Sequence, residues 1–211
     1  NKRNIPMLEI PRSELDRLTD GSVHQGVAMQ IPPYKYPDAT DLVLDTMERW
    51  HSGKLSTPPL FVALDGITDP RNLGAIIRSV SAFSGDGVII PERRSAAVTA
   101  GAWKTSAGAA ARIPVAMATN LTRVIQQAKE QGIFVIGLDG GGDIELPALE
   151  LANEPLCVVV GSEGKGLSRL VTENCDQIVS IPIDSAMESL NAAMAVGITL
   201  YDVSRRRASA N

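Results

Sequence analysis

Short apolar runs alternate with longer amphipathic stretches along the chain from residue 59 onward. The runs are rich in Val and Ile and show little polar alternation, which is typical of strands buried on both faces of a parallel sheet. Strands are predicted over 60–64, 88–90, 114–117, 133–137, 156–160 and 178–181. Between most of them, helices are predicted over 73–83, 121–131, 167–175 and 190–205. The pattern therefore predicts an α/β fold in which helices flank a parallel sheet.

The beginning of the chain follows a different pattern. Seven of the 13 prolines lie within the first 59 residues, which is typical of linkers and short edge strands. Here we predict a short helix over 13–18, a strand over 23–31 and a helix over 41–50. The sequence is therefore divided into an N-terminal segment, residues 1–57, and an α/β domain, residues 58–211.

Composition narrows the class of protein. With 211 residues, of which 44% are hydrophobic and 21% charged, the chain can build a sizeable core. No apolar run is long enough for a membrane span, and no secretory signal is visible. Two Cys and two well-separated His exclude a disulfide scaffold and make a metal centre improbable. We expect a reduced, cytoplasmic, metal-free protein, and because the chain starts with Asn1 we interpret it as a fragment or processed product.

Charge is segregated along the chain although the net charge is only −4. Residues 71–112 contain six basic and two acidic side chains, whereas residues 113–160 contain two basic and six acidic ones. This permits a phosphate-binding side, and an ordinary solvated surface explains it equally well. The basic run Arg205–Arg207 is interpreted as a solubilising helix end in preference to an RNA contact.

Common catalytic motifs are absent. In the glycine loop 161–166, Lys165 is followed by Gly166 instead of the hydroxyl residue that a phosphate-binding loop needs for Mg²⁺. Residues 137–142 do not form a dinucleotide fingerprint, and no G-x-S-x-G elbow exists. The chain therefore has little acid–base equipment, and we expect it to depend on positioning and on a cofactor that is already activated.

Three segments that follow predicted strands carry the functional interpretation: 69–78, 161–167 and 181–191. In order and spacing they resemble the three motifs of the SpoU branch of the SPOUT methyltransferases, over residues 58–207. The resemblance implies transfer of a methyl group from S-adenosylmethionine to a ribose 2′-hydroxyl of tRNA or rRNA. Residues 104–109 and 24–28 also resemble the subgroup that methylates a guanosine of large-subunit rRNA. In that subgroup a small RNA-binding domain comes first, and residues 1–20 look like its last piece.

The same resemblance has consequences for the fold and the assembly. It implies that the C-terminal third forms a deep trefoil knot, as in the SPOUT fold. It also implies that the cofactor is bound, bent, between the second and third motif loops. It further implies a homodimer formed through helices near the first and last motifs.

Site residues are carried over position by position. Backbone groups of Gly161, Ile181 and Leu190 are expected to hold the cofactor. The full cofactor set is Gly161, Glu163, Gly164, Ile181, Ile183, Leu190 and Ala192. The catalytic set is Arg78, Asn72, Glu163, Ser189 and Asn191. The RNA-binding set is Arg71, Arg78, Lys104 and Arg112.

Several of these residues also have a purely structural interpretation. Gly161, Gly164 and Gly166 permit positive φ and close ligand approach, or simply a tight turn before a helix. Glu163 is expected to order its loop by accepting main-chain N–H groups, or to favour a helix dipole. Ser189 is predicted to cap the last helix, with Asn191 inside that helix, where Asn is unfavourable.

Asn72 and Arg78 are predicted to lie at the start of one helix, with Asn72 as its N-cap and both side chains on nearly the same side. As a structural alternative, Arg78 is an ordinary solvated arginine. In the family the matching Arg is essential and has been proposed to take the proton from the 2′-hydroxyl. A guanidinium has a pKa above about 12 and is a poor base. We therefore expect Arg78 to bind the phosphate beside the target ribose and to stabilise the developing alkoxide.

These observations predict a ribose 2′-O-methyltransferase that acts on a guanosine of 23S rRNA. A tRNA 2′-O-methyltransferase is the alternative within the class. A non-catalytic RNA-binding or ribosome-assembly module is the alternative outside it. An oxidoreductase on a doubly wound sheet is disfavoured because the first turn lacks the glycine fingerprint.

Overall fold

The computed structural model describes residues 6–21, 23–187 and 189–210. The chain forms two compact units, Asn1–Tyr34 and Lys35–Asn211. The first unit contains helix α1, Arg12–Leu18, which confirms the short helix predicted there.

The strand predicted over 23–31 is wrong, since no residue in that range lies in a strand. Gln25 and Gly26 have φ values of 52° and 85°, which turn the chain instead of extending it. The His24 ring stabilises this turn, because its Nδ1 accepts a hydrogen bond from the N–H of Gly26 at 3.0 Å. Its Nε2 then donates to Asp16 Oδ1 at 2.8 Å. The apolar side chains in this range, Val23, Val27, Met29 and Ile31, are all exposed.

The second unit is built on a seven-stranded parallel sheet. Its strands are β1 (Leu60–Asp65), β2 (Gly87–Pro91), β3 (Val115–Ala118), β4 (Phe134–Leu138), β5 (Ile144–Glu145), β6 (Leu156–Gly161) and β7 (Gln177–Ser180). The order across the sheet is β3-β2-β1-β6-β4-β7-β5. The six predicted strands are present, and β5 is a short edge strand that the pattern does not predict. The predicted parallel α/β fold is confirmed.

Helices connect and cover these strands. They are α2 (Ala39–His51), α3 (Pro70–Ala82), α4 (Ala100–Thr105), α5 (Leu121–Glu130), α6 (Arg169–Asn174) and α7 (Ala192–Ala210). Short 3₁₀ turns lie at Ala109–Ala111, Leu146–Ala148 and Glu150–Asn153. Helix α4 is not predicted, because its six residues have too few turns to show a period.

Helix α2 packs into the core of the second unit. Its residues Ala39, Val43 and Met47 recur every four positions and are at most 2% exposed. They share one apolar cluster with Ala116 of β3 and Val124 of α5. The apolar face of α2 therefore covers one end of the sheet.

Helix α7 is held at its carboxyl end by Arg206 and Arg207, which donate to main-chain carbonyl groups. The interpretation of this run as a solubilising end is wrong for both residues, and only Arg205 is exposed. Burial lowers the pKa of Arg207 to about 10, so its guanidinium is protonated at neutral pH. The carbonyl partners are Leu146, Pro147 and Leu149 for Arg206, and Pro58, Pro59, Ala152 and Glu154 for Arg207.

Candidate functional site

Four central strands end at the same edge of the sheet because they are parallel and in register. Asp65 at the end of β1 lies opposite Gly161 at the end of β6. Leu138 at the end of β4 lies opposite residues of both β6 and β7. This is the edge at which open parallel sheets bind ligands. The loops that leave it are 66–69, 139–143, 162–168 and 181–191, and three of them carry the motif segments.

Three of the predicted catalytic residues, Asn72, Glu163 and Asn191, are brought together by these loops. The Nδ2 of Asn72 donates to Glu163 Oε1 at 3.0 Å, and the Nδ2 of Asn191 donates to the same oxygen at 2.7 Å. The Nδ2 of Asn191 also donates to Asn72 Oδ1 at 3.0 Å. These side chains form a closed set of hydrogen bonds, which we call the amide–carboxylate ring. The expectation that Glu163 accepts main-chain N–H groups is wrong, since its described donors are side-chain amides.

The start of helix α7 differs from the prediction. Asn191 lies just before the helix, and its Oδ1 accepts the N–H groups of Ala193 at 3.0 Å and Met194 at 3.2 Å. Asn191 is therefore the N-cap and not an interior residue. Ser189, two residues earlier, is exposed and does not cap the helix. Its hydroxyl makes no hydrogen bond with a described residue.

The placement of Asn72 on helix α3 also differs from the prediction. Asp69 is the N-cap, because its side chain accepts the N–H of Arg71 at 2.8 Å, and Pro70 begins the helix. At about 100° per residue, Asn72 and Arg78 point about 120° apart, so they do not share a side. Arg71, seven residues before Arg78, shares its face to within about 20°. Arg71 and Arg78, and not Asn72 and Arg78, are therefore the matched pair on this helix.

The glycine loop 161–166 is closed by its own backbone. The N–H of Ser162 donates to the carbonyl of Gly166 at 3.1 Å, and the N–H of Gly166 donates back at 2.9 Å. Gly164 and Gly166 have positive φ, as predicted, whereas Gly161 does not. A Cβ on Gly161 would overlap the backbone of Gly166, so the chain itself fills that space. Open space lies at Gly164, where a Cβ would have no neighbour within 4 Å.

The third motif loop presents main-chain groups without partners. In the described part of the chain, the N–H and C=O groups of Ile181 and Leu190 take part in no hydrogen bond. Both side chains are half-buried, while Ile183 is 39% exposed and Ala192 is buried. Apolar side chains beside free main-chain donors and acceptors can enclose a planar ring while the backbone binds its edge.

The predicted RNA-binding residues lie on α3, on α4 and after the following turn. All four are exposed: Arg71, Arg78, Lys104 and Arg112. Helices α3 and α4 pack closely at Gly74, where a Cβ would lie 2.6 Å from the carbonyl oxygen of Ala102. The guanidinium groups of Arg71 and Arg78 form no hydrogen bond or ion pair with a described residue, so they are available to an anionic ligand.

Other chemistry is scarce at this edge. The described residues contain no cluster of three or more His, Cys, Asp or Glu that could hold a metal ion. Nor, within the same ranges, is any helix long and apolar enough to cross a membrane. Burial raises the pKa of Cys157 to about 12 and that of Cys175 to about 11, so neither thiol is a ready nucleophile. The site therefore presents amides, a carboxylate, a hydroxyl and guanidinium groups.

Fold and site together define a parallel α/β protein whose ligand site is built by loops at the carboxyl edge. Residues 59–201 match the SpoU rRNA methylase family, and residues 1–37 match a family described as RNA 2′-O ribose methyltransferase substrate binding. The chain belongs to the SpoU rRNA methylase family. The resemblance drawn from the three motifs is thereby confirmed.

Named relatives and solved structures agree with this assignment. The chain is 59% identical over 203 residues to an uncharacterized tRNA/rRNA methyltransferase of Mycobacterium avium, covering 96% of this chain and 63% of that protein. The SpoU methyltransferase AviRb from Streptomyces viridochromogenes, solved with AdoMet, has a TM-score of 0.67 and 30% identity over 74% of this chain and 60% of that one. An AdoMet-bound rRNA methyltransferase from Sinorhizobium meliloti has a TM-score of 0.69 and 25% identity over 82% of this chain and 61% of that one. The chain thus spans less than two thirds of the length of these relatives.

Proposed function

We propose that this chain is an S-adenosylmethionine-dependent RNA methyltransferase that acts in the cytoplasm on a ribose 2′-hydroxyl, with a guanosine of 23S rRNA as its target. The amide–carboxylate ring carries the proposal, because it draws the three motif segments together at the ligand-binding edge. Membership of the SpoU family and the AdoMet-bound relatives support the cofactor.

The residues present fit this cofactor. The open space at Gly164 and the unpaired main-chain groups of Ile181 and Leu190 offer room and hydrogen-bond partners at one edge of the sheet. When bound, S-adenosylmethionine supplies a methyl group on a positively charged sulfur, which is an activated donor. The residues that would hold it are Gly161, Gly164, Ile181, Ile183, Leu190 and Ala192, while Glu163 would act on the glycine loop through its two amide partners.

Arg78 is the residue that we place beside the acceptor oxygen. A guanidinium is a permanent cation and a poor base, so Arg78 binds an RNA phosphate and stabilises negative charge on the 2′-oxygen instead of removing the proton. Ser189 is exposed and its hydroxyl has no described partner, so it can donate to or accept from the ribose. Alignment of the oxygen with the methyl group then provides much of the acceleration.

The RNA contact extends from Arg78 along two helices. Arg71 lies two turns away on the same face of α3, about 10 Å along the axis, so the pair can bind separate phosphates of one strand. Lys104 on α4 and Arg112 after the next turn enlarge this basic surface. A 2′-hydroxyl acceptor distinguishes RNA from DNA.

Helix α7 supports a homodimer as part of the proposal. Met194, Ile198 and Tyr201 lie on one face of the helix and are 58%, 37% and 56% exposed. Tyr201 packs edge-on against Phe83 at the end of α3, with ring centroids 5.9 Å apart. A second copy of the chain would cover this apolar stripe.

The knot and the division into domains complete the proposal. Strand β7 lies between β4 and β5, two strands that precede it in the chain. Insertion of a late strand between two earlier consecutive strands is compatible with a trefoil knot in the C-terminal third. We assign residues 1–57 to the remnant of an RNA-binding domain plus a linker, whose helix α2 packs on the core of the methyltransferase domain, residues 58–211.

Calorimetric titration with S-adenosylmethionine and with its demethylated product tests the cofactor site. Gly164 and Gly132 both have positive φ and open space for a Cβ, so substitution by Ala strains both equally. We expect Gly164→Ala to weaken cofactor binding at least tenfold and Gly132→Ala to leave it unchanged. If the folded wild-type protein binds neither ligand, with or without rRNA fragments, the chain is the non-catalytic RNA-binding module.

Methyl transfer to 23S rRNA fragments, compared with tRNA transcripts, tests the substrate. We expect Arg78→Ala to lower kcat by about 10²–10³ while cofactor affinity stays near that of the wild type. Arg169→Ala, which removes an exposed α6 arginine paired with Glu173, is the matched control. Equal loss of rate and cofactor affinity would show that Arg78 shapes the cofactor site. Methylation of tRNA alone would identify the tRNA-specific alternative.

A further inference from the structure

The amide–carboxylate ring has a fixed hydrogen-bond direction. Asn191 Oδ1 accepts two main-chain N–H groups at the start of α7, so its Nδ2 must face the ring. That Nδ2 donates to Asn72 Oδ1 and to Glu163 Oε1, which in turn requires Asn72 to donate through its own Nδ2. Glu163 Oε1 is therefore the one acceptor that closes the ring, and it receives two donors.

The ring connects three parts of the proposed site. Asn72 is in the first turn of α3, the helix that carries Arg78. Glu163 lies in the glycine loop, next to the open space at Gly164. Asn191 ends the third motif loop and caps α7. Glu163 and Asn191 follow Asn72 by 91 and 119 positions in the chain, so no local secondary structure holds the three residues together.

We infer that Asn72, Glu163 and Asn191 are positioning residues, whose ring holds the Arg78 helix, the cofactor loop and the start of α7 in one fixed arrangement. This inference rests on the proposed function. Glu163 contributes as a hydrogen-bond acceptor for two amides and not as a proton carrier. Displacement of reacting groups by about 1 Å can lower a rate about 100-fold, so loss of the ring is expected to impair catalysis without removing any group that contacts substrate.

The ring can be observed without any ligand. In the wild type, NMR spectra should show an Asn191 side-chain amide that is protected from solvent exchange, because both of its N–H groups are donated. Glu163→Ala should abolish that protection, while Glu163→Gln should retain it, since the Gln carbonyl oxygen can accept both donors. A freely exchanging Asn191 amide in the wild type would overturn the inference whatever the activity.

Asn191 also separates capping from ring formation. Asn191→Ser keeps a capping oxygen but removes both amide donors, and Asn191→Asp keeps the cap but places a second carboxylate against Glu163. Asn120→Ser is the matched control, because Asn120 caps α5 through its Oδ1 and belongs to no ring. The Ser variants should show similar shifts in melting temperature, but only Asn191→Ser should lose activity. Equal activity in both would overturn the inference.

Kinetics then distinguishes positioning from proton transfer. We expect Glu163→Ala to lower kcat about 100-fold with little change in KM for RNA, and Glu163→Gln to recover to within about tenfold of the wild type. Glu173→Ala, which removes an exposed carboxylate of α6, is the control. If Glu163→Gln is as inactive as Glu163→Ala while its ring amides stay protected, Glu163 carries the proton and the inference is wrong. If the wild type shows protected amides but no methyl transfer to any RNA, the proposed function fails and the ring remains.

Discussion

Replacement of Arg207 by Ala should destabilise the whole second unit. The guanidinium joins the end of α7 to chain segments just before β1 and β6. It donates to the carbonyl oxygens of Ala152 at 2.8 Å and Pro58 at 2.5 Å, and both bonds are partly buried. The bond to Glu154 is short, at 2.6 Å, but it faces solvent, where water can replace it. We call these hydrogen bonds the Arg207 clamp. Its contribution to stability therefore comes chiefly from the bonds to Ala152 and Pro58.

The expected loss follows from those two bonds. Hydrogen bonds from a charged donor contribute about 1.5–3 kcal/mol each after desolvation, so the loss of these two bonds in Arg207→Ala should lower the free energy of unfolding by about 3–6 kcal/mol. For a chain of this size that corresponds to a fall in melting temperature of about 6–24 °C. Urea unfolding followed by circular dichroism measures the change. Arg205→Ala is the control, since Arg205 is exposed and pairs only with Asp202 among the described residues. Equal unfolding midpoints for the two variants would refute the clamp.

Three further predictions test packing, pH dependence and assembly. Gly74→Ala should lower the free energy of unfolding by about 1–3 kcal/mol, because the new Cβ would lie 2.6 Å from the α4 backbone. In the control Gly101→Ala the Cβ has no neighbour closer than 3.7 Å, so this change should be neutral or stabilising by up to about 1 kcal/mol. Similar melting temperatures for the two variants would contradict this prediction. Burial raises the pKa of Asp86, so folding favours the neutral form of its carboxyl group. The stability that this preference contributes is fully present below the ordinary pKa and is lost as pH rises through the raised pKa. Asp86→Asn should therefore gain stability relative to the wild type as pH rises above the ordinary pKa of an Asp carboxyl, and a stability difference in urea unfolding that stays constant with pH would contradict this. Ile198→Glu should convert a dimer into a monomer in sedimentation, while Leu170→Glu, on exposed α6, should not; a monomeric wild type would rule the interface out.

The apolar pattern predicted the strands of the sheet because burial on both faces leaves uninterrupted Val- and Ile-rich runs. It did not predict the order of the strands, since the placement of β7 between β4 and β5 depends on packing between distant segments. The failure over 23–31 has a local cause. Alternation indicates a strand only if something covers its apolar face, and here positive φ at Gln25 and Gly26 turns the chain first.

At the site, the sequence identified the residues better than their roles. Asn191 stood out as a poor helix-interior residue, and a shift of the helix start to Ala192 makes it the N-cap. The same kind of error put Asn72 at a cap that Asp69 occupies. A boundary moved by two or three residues decides whether a residue caps the helix or lies inside it, so roles inferred from helical position are less certain than the identity of the motif.

The polar groups at this edge of the sheet fall into two sets, a hydrogen-bonded ring and an unpaired arginine. The single carboxylate among the predicted catalytic residues shares one oxygen between two amides, and the described histidines lie elsewhere, His24 in the first unit and His51 at the end of α2. Arg78 stands outside the amide–carboxylate ring and makes no bond with a described residue, so its guanidinium remains available to an anionic ligand. A closed ring that includes a residue of the Arg78 helix, together with an unpaired guanidinium on that helix, suits a reaction whose donor is already activated, because such a reaction requires alignment and charge stabilisation more than a strong base. The scarcity of acid–base groups in the sequence and the closed ring in the structure therefore have one physical explanation.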